Sequence, residues 1–182
     1  MGLLHRRSVL MAALSAPAWA RDPASRVLVM RHAQTEPGVG DPPGFILGRC
    51  DTQRNLSTEG RTQARAVGAR LAALGLRPSA LRSSRWCRCL HTAEEVHAGL
   101  GSEAPRPEPW TALDSTFDDR SRAPAQTAQL RQRLSTLLPP VFELWVTHQI
   151  NITALTGAPT QMGEALWIAL RRDGGIAVTP FG

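Results

Sequence analysis

Short apolar segments that alternate with stretches of helical spacing constrain this chain most. Residues 27–30 read Val-Leu-Val-Met, a continuously apolar run short enough for a buried strand. Glycines and prolines break the stretch from Pro37 to Asn55, which predicts a loop. Ser57 or Thr58 can then cap a helix running to about Leu74, with Ala64, Val67, Leu71 and Leu74 on one face and Gly75 at its end. A strand is expected near residue 80 in "SALRSS", followed by a helix in "CLHTAEEVHAGL". "PRPEPW" reads as a break and "TALDSTFDDRSRAPAQ" as a long polar loop. Helical spacing returns from Gln126 to Leu138, a strand from Val141 to Thr147 and a helix in "NITALTG". "ALWIAL" and "GIAVTP" read as a closing pair of strands. This alternation predicts a mainly parallel central sheet with helices on both faces, a three-layer α/β/α sandwich. Ligands of such sheets lie beyond the carboxyl ends of the strands. Arg31-His32, the segment from Ser83 to Arg88 and His148 all follow strand candidates at that end.

The 182 residues allow one domain with a sizeable core. Residues 1–20 read as a separate element: Arg6-Arg7 precede a short apolar middle, and Ala18-Trp19-Ala20 suits signal peptidase. The arginine pair resembles a twin-arginine export signal, with His5 and Met11 departing from the usual pattern. The expectation is therefore a signal peptide over 1–20, a single domain over 21–182, and a periplasmic or secreted location. The apolar stretch is far below the ~20 residues of a membrane span, so no stable membrane insertion is expected. Every one of the 21 basic residues is arginine, and the net charge is +6. The arginines are scattered and no nucleic-acid motif accompanies them, which points away from nucleic acid and toward small anionic partners. Cys50, Cys87 and Cys89 cannot all pair within one chain, and export permits Cys50 to bridge one of the other two. Cys87-x-Cys89 lacks a second ligand pair at metal spacing, so neither a metal nor another cofactor is expected.

Arginine donates in a rigid fork that suits phosphate oxygens, and a neutral imidazole beside it could attack phosphorus. Arg31 and His32 fit that chemistry, although a strand-capping arginine and a buried histidine would look the same. Arg85 and Arg88 add positive charge at a second strand-to-helix junction, where solvated surface arginines are the ordinary alternative. His148 stands at a third. Three such junctions are harder to dismiss than one.

"RHAQT" resembles the Arg-His-Gly motif of the histidine phosphatase superfamily, which includes the cofactor-dependent phosphoglycerate mutases. "NLSTEGRTQA", "SSRWCRCLHTAE" and "VTHQ" are similar to the other motifs of that family, in the same order across residues 26–157. The resemblance implies a phosphoglycerate mutase-like fold. It implies that His32 is the nucleophile that becomes phosphorylated and that Arg31 and Arg88 bind the phosphoryl oxygens. His148 corresponds to the second histidine, which contacts the transferring group. Two guanidinium groups and an imidazole around one phosphoryl group suit charge spread over three equatorial oxygens. Ala33 stands where the family has glycine, Gln149 replaces the glycine after the second histidine, and Gly38 stands at the spacing of a family asparagine.

The general acid is the largest departure, because Ser115 stands where many relatives carry glutamate. Asp118 and then Asp114 are the candidate acids, and Thr35 is a candidate for the pocket entrance. The expected function is an exported, metal-independent phosphatase acting on phosphomonoesters or phosphohistidine through a phosphohistidine intermediate. Its partner would be a phosphorylated small molecule or phosphoprotein. A phosphate-binding module without turnover is the alternative. The sequence leaves the oligomeric state open.

Overall fold

The computed structural model describes residues 27–38 and 40–182, so the expected signal peptide lies outside the described residues. Strand β1 (Val27–Arg31) leads through the loop to helix α1 (Thr58–Ala73), β2 (Ala80–Ser83), α2 (Cys87–Leu100) and β3 (Pro107–Pro109). Helix α3 (Ala123–Thr136), β4 (Glu143–Thr147), α4 (Gln149–Thr156), β5 (Ala165–Leu170) and β6 (Ile176–Pro180) complete the chain. The sheet runs β3-β2-β4-β1-β5-β6. Its pairings from β3 through β1 are parallel, and β5 runs antiparallel to both β1 and β6.

Successive side chains of a strand point to opposite faces, and β1 shows the consequence. Leu28 and Met30 join Leu81, Leu144 and Val146 beneath Ala64 and Leu71 of α1 and Ala93 and Val96 of α2. Val27 and Val29 join Trp145 and Ile168 on the other face, covered by Leu130 and Leu134 of α3 and by Ile152 and Leu155 of α4. Each such fully buried aliphatic side chain contributes about 1.5–3 kcal/mol relative to exposure. The three-layer sandwich expected from the sequence is thus present.

Ser57 caps α1, its Oγ accepting the N–H of Gly60. Gly75 follows the helix in the left-handed region at φ +69°. Helices α1 and α2 approach closely because glycines sit at their crossing. A Cβ on Gly68 would lie 2.0 Å from the Val96 carbonyl oxygen, and one on Gly99 would lie 2.1 Å from that of Arg65.

Several boundaries differ from the sequence reading: β4 begins at Glu143 rather than Val141, α4 at Gln149 rather than Asn151, and α3 ends at Thr136 rather than Leu138. Helix α2 begins at Cys87 rather than Cys89, and α3 begins at Ala123 rather than Gln126, with a proline in its first turn where no N–H is needed. Pro107–Pro109 was expected to break the chain but pairs with β2 at the sheet edge, where proline's missing N–H costs no ladder bond. At the opposite end of the sheet from the candidate site, the buried Glu143 carboxylate accepts from Arg82, Arg133 and the Trp145 indole. Burial opposes its ionisation, but those donors outweigh it and hold its pKa below the usual value.

Candidate active site

The carboxyl ends of β1, β2 and β4 bring the motifs together. The backbone N–H of His32 donates to the Thr147 carbonyl, locking the end of β1 to the residue before His148. The Ala33 N–H donates to Thr92 Oγ1, whose hydroxyl donates to the Arg88 carbonyl. Thr92 therefore couples the His32 turn to the first turn of α2. The sequence reading gave it no role.

His32 is 3% exposed, and its Nδ1 lies 2.9 Å from the Ala33 carbonyl oxygen. A carbonyl only accepts, so the ring proton sits on Nδ1 and the lone pair on Nε2. Burial lowers the His32 pKa to about 3, opposed by the Ala33 hydrogen bond and reinforced by Arg88, Arg31 and Arg54. The imidazole is thus neutral near pH 7, the form a nucleophile requires. The His148 ring lies 5.6 Å away between centroids. Burial, followed by Arg88, holds its pKa well below the ordinary histidine value. Its Nε2 is 2.9 Å from Ser84 Oγ and 3.4 Å from Cys89 Sγ, which leaves Nδ1 for a ligand.

Arg31, Arg88, His32 and His148 all line one cavity of about 870 Å³. Arg31 donates through Nη1 to the Gln149 amide oxygen and the Thr160 carbonyl, at 2.9 and 2.7 Å. Gln149, a departure from the family pattern, therefore positions a cavity arginine. Trp86 and Phe45 form part of the wall, with Trp86 edge-on to His148 at 5.6 Å. Residues from the first turns of α2 and α4 also line it, and the positive ends of helix dipoles favour an anion there.

The remaining predicted residues divide. Asp118 lines the cavity with an exposed side chain. Asp114 does not line it. That carboxylate is buried behind His148, where it accepts from the Arg85 backbone N–H and guanidinium and from Ser84. Its neighbour Ser84 in turn touches His148, so Asp114 belongs to the support of that ring. Thr35 is buried, with its hydroxyl directed to Met162 Sδ, and it too is absent from the cavity wall. Its backbone bridges Leu56, which explains why a polar residue is buried there.

Asp41 and Arg54 line the cavity although the sequence reading passed over both. Asp41 accepts from Arg88 Nη1 with both oxygens, at 2.8 and 3.0 Å. The only sequence signals were their places in the loop and beside "NLSTEG". Cys50 is bonded to Cys87, tying that loop to the start of α2, and Cys89 stays a free buried thiol whose pKa burial raises to about 12. No cluster of three or more metal-binding side chains occurs among the described residues.

The sequence profile of the histidine phosphatase superfamily (branch 1) matches residues 27–116. Among solved structures, the chain is similar to the protein histidine phosphatase SixA complexed with tungstate, with 17% identity and a TM-score of 0.59, covering 84% of this chain and 93% of that one. It is similar to mycobacterial glucosyl-3-phosphoglycerate phosphatase at 18% identity and a TM-score of 0.59, covering 86% and 97%. A phosphoglycerate mutase from Plasmodium falciparum gives 14% identity and a TM-score of 0.53, covering 86% and 89%. At these identities the likeness is one of fold. No curated protein matches in sequence.

Proposed function

We propose that this member of the histidine phosphatase superfamily is an exported, metal-independent phosphatase acting on phosphomonoesters or phosphohistidine. One observation carries the reading: a neutral, buried His32 keeps Nε2 available within a cavity that also holds Arg31, Arg88 and His148. His32 Nε2 attacks phosphorus in line, and the leaving oxygen, or the ring nitrogen of a phosphohistidine, departs with the electron pair of its bond to phosphorus. Water then attacks the phosphohistidine, and the N–P electron pair returns to the ring. Arg31 and Arg88 supply guanidinium donors to the equatorial oxygens, and His148 contacts the group in transfer. The SixA and glucosyl-3-phosphoglycerate phosphatase neighbours, which bear phosphatase names on this fold, support phosphatase chemistry. Export is supported by residues 1–20 and by the Cys50–Cys87 disulfide, which persists in oxidising compartments.

The test is turnover of p-nitrophenyl phosphate by the full-length protein in EDTA. We expect hydrolysis insensitive to the chelator and lost in His32→Ala. Phosphate binding without turnover would replace the enzyme with a phosphate-binding module. A screen of phosphorylated metabolites, envelope sugars and phosphohistidine peptides would then define the substrate.

A further inference from the structure

An alkoxide leaves phosphorus readily only with a proton, and the usual position for its donor is occupied by Ser115. Asp114 is held by Arg85 outside the cavity. Asp118 projects at the exposed rim and forms no hydrogen bond or ion pair among the described residues. We propose that Asp41, on the loop between β1 and α1, is the general acid and base of the reaction, a role that rests on the phosphatase reading above.

The Asp41 side chain is 8% exposed, lies in the cavity wall and shares Nη1 of Arg88, the guanidinium assigned to the phosphoryl oxygens. A carboxylate sharing that donor borders the phosphoryl site directly. The loop is braced to keep it there. The Arg54 N–H donates to Asp41 Oδ1, Gln53 accepts the N–H of Cys87, and the disulfide joins Cys50 to Cys87. Bracing from loop and helix is what a positioned catalytic group needs.

Arg88 from α2, Arg54 from the loop, Arg31 and His32 from the end of β1 and His148 from the end of β4 surround the site. A phosphoryl dianion that takes Arg88 draws that donor from Asp41 and sets a negative charge beside it while Arg54 stays near, and the carboxylate then takes up a proton. That proton, drawn from solvent, passes to the leaving oxygen as the P–O bond breaks and the His32 Nε2–P bond forms. The resulting carboxylate then accepts a proton from the water that attacks the phosphohistidine. The N–P bond breaks, its electron pair returns to His32, and phosphate leaves.

The experiment compares β-glycerophosphate, which needs protonation, with p-nitrophenyl phosphate, whose phenolate departs without it, in full-length Asp41→Asn, Asp41→Glu and Asp118→Asn. We expect Asp41→Asn to lower kcat/KM on β-glycerophosphate by ~10²–10⁴-fold, with a loss at least about tenfold smaller on p-nitrophenyl phosphate. Asp41→Glu should recover part of the β-glycerophosphate activity. Equal losses on both esters would overturn the proposal, because they would mean that Asp41 merely positions Arg88. A selective loss in Asp118→Asn instead would overturn it as well. Inactivity of the wild-type protein on both esters and on phosphohistidine peptides would remove the phosphatase reading itself.

Discussion

Removing either member of the Arg88–Asp41 pair should cost nearly as much as removing both. Their side chains are 7% and 8% exposed, so neither survivor can be rehydrated without opening the loop. At a charge separation of about 4 Å and an effective dielectric of about 20, the attraction is about 4 kcal/mol. Breaking a buried pair costs roughly 3–5 kcal/mol, because an uncompensated charge stays behind. Arg88→Ala removes the guanidinium donor that both Asp41 oxygens share and leaves Arg54 as the nearest cationic neighbour. Asp41→Ala leaves Arg88 with an additional uncompensated guanidinium near Arg31 and Arg54. The double variant strands neither charge. A double-mutant cycle by urea unfolding at neutral pH should therefore give two singles near 3 kcal/mol and a coupling energy of about 2–3 kcal/mol. The coupling should persist in high salt, since buried pairs are poorly screened. The exposed Arg49–Asp51 pair serves as the contrast, and Arg49→Ala should leave the midpoint unchanged. Additive single losses within about 0.5 kcal/mol would refute the reasoning, since the pair would then behave as a solvated contact.

The two site histidines should not titrate where histidines ordinarily do. Proton NMR of His32 and His148 should show no protonation midpoint near 6.5, and a midpoint there for His32 would remove the argument for a neutral nucleophile. The unfolded chain binds a proton at His32 below about 6.5 while the folded chain resists until about 3, so stability should fall as pH drops through that window. Reducing Cys50–Cys87 removes a cross-link over 37 residues, and loop entropy predicts a loss of about 3–4 kcal/mol, read as a lower urea midpoint in dithiothreitol.

The parallel core was legible because its strands are short apolar runs and its helices show clear spacing and caps. Arg31, His32 and His148 follow strands whose ends topology gathers at one edge of the sheet, whereas the choice of Arg88 over Arg85 came from the family resemblance and not from any local signal. Pro107–Pro109 was not legible, since an edge strand of two prolines and a glutamate has neither apolar alternation nor ladder donors. Asp114 and Asp118 look equivalent in "ALDSTFDDR", yet the short turn after Trp110 buries the first against Arg85 and leaves the second at the cavity. Asp41 and Arg54 were hidden in a glycine- and proline-rich loop whose path is set by long-range contacts. Gln53 reaching Cys87 and Cys50 bonding to the same residue have no local signature.

The central claim is that one imidazole carries the phosphoryl group between two partners. Full-length protein mixed with excess p-nitrophenyl phosphate, quenched in alkali and mapped by peptide mass spectrometry, addresses it directly. The account predicts one acid-labile, base-stable phosphoryl group on the peptide containing His32, absent from His32→Ala. Steady turnover with the label on a hydroxyl side chain, or with undiminished activity in His32→Ala, would contradict it.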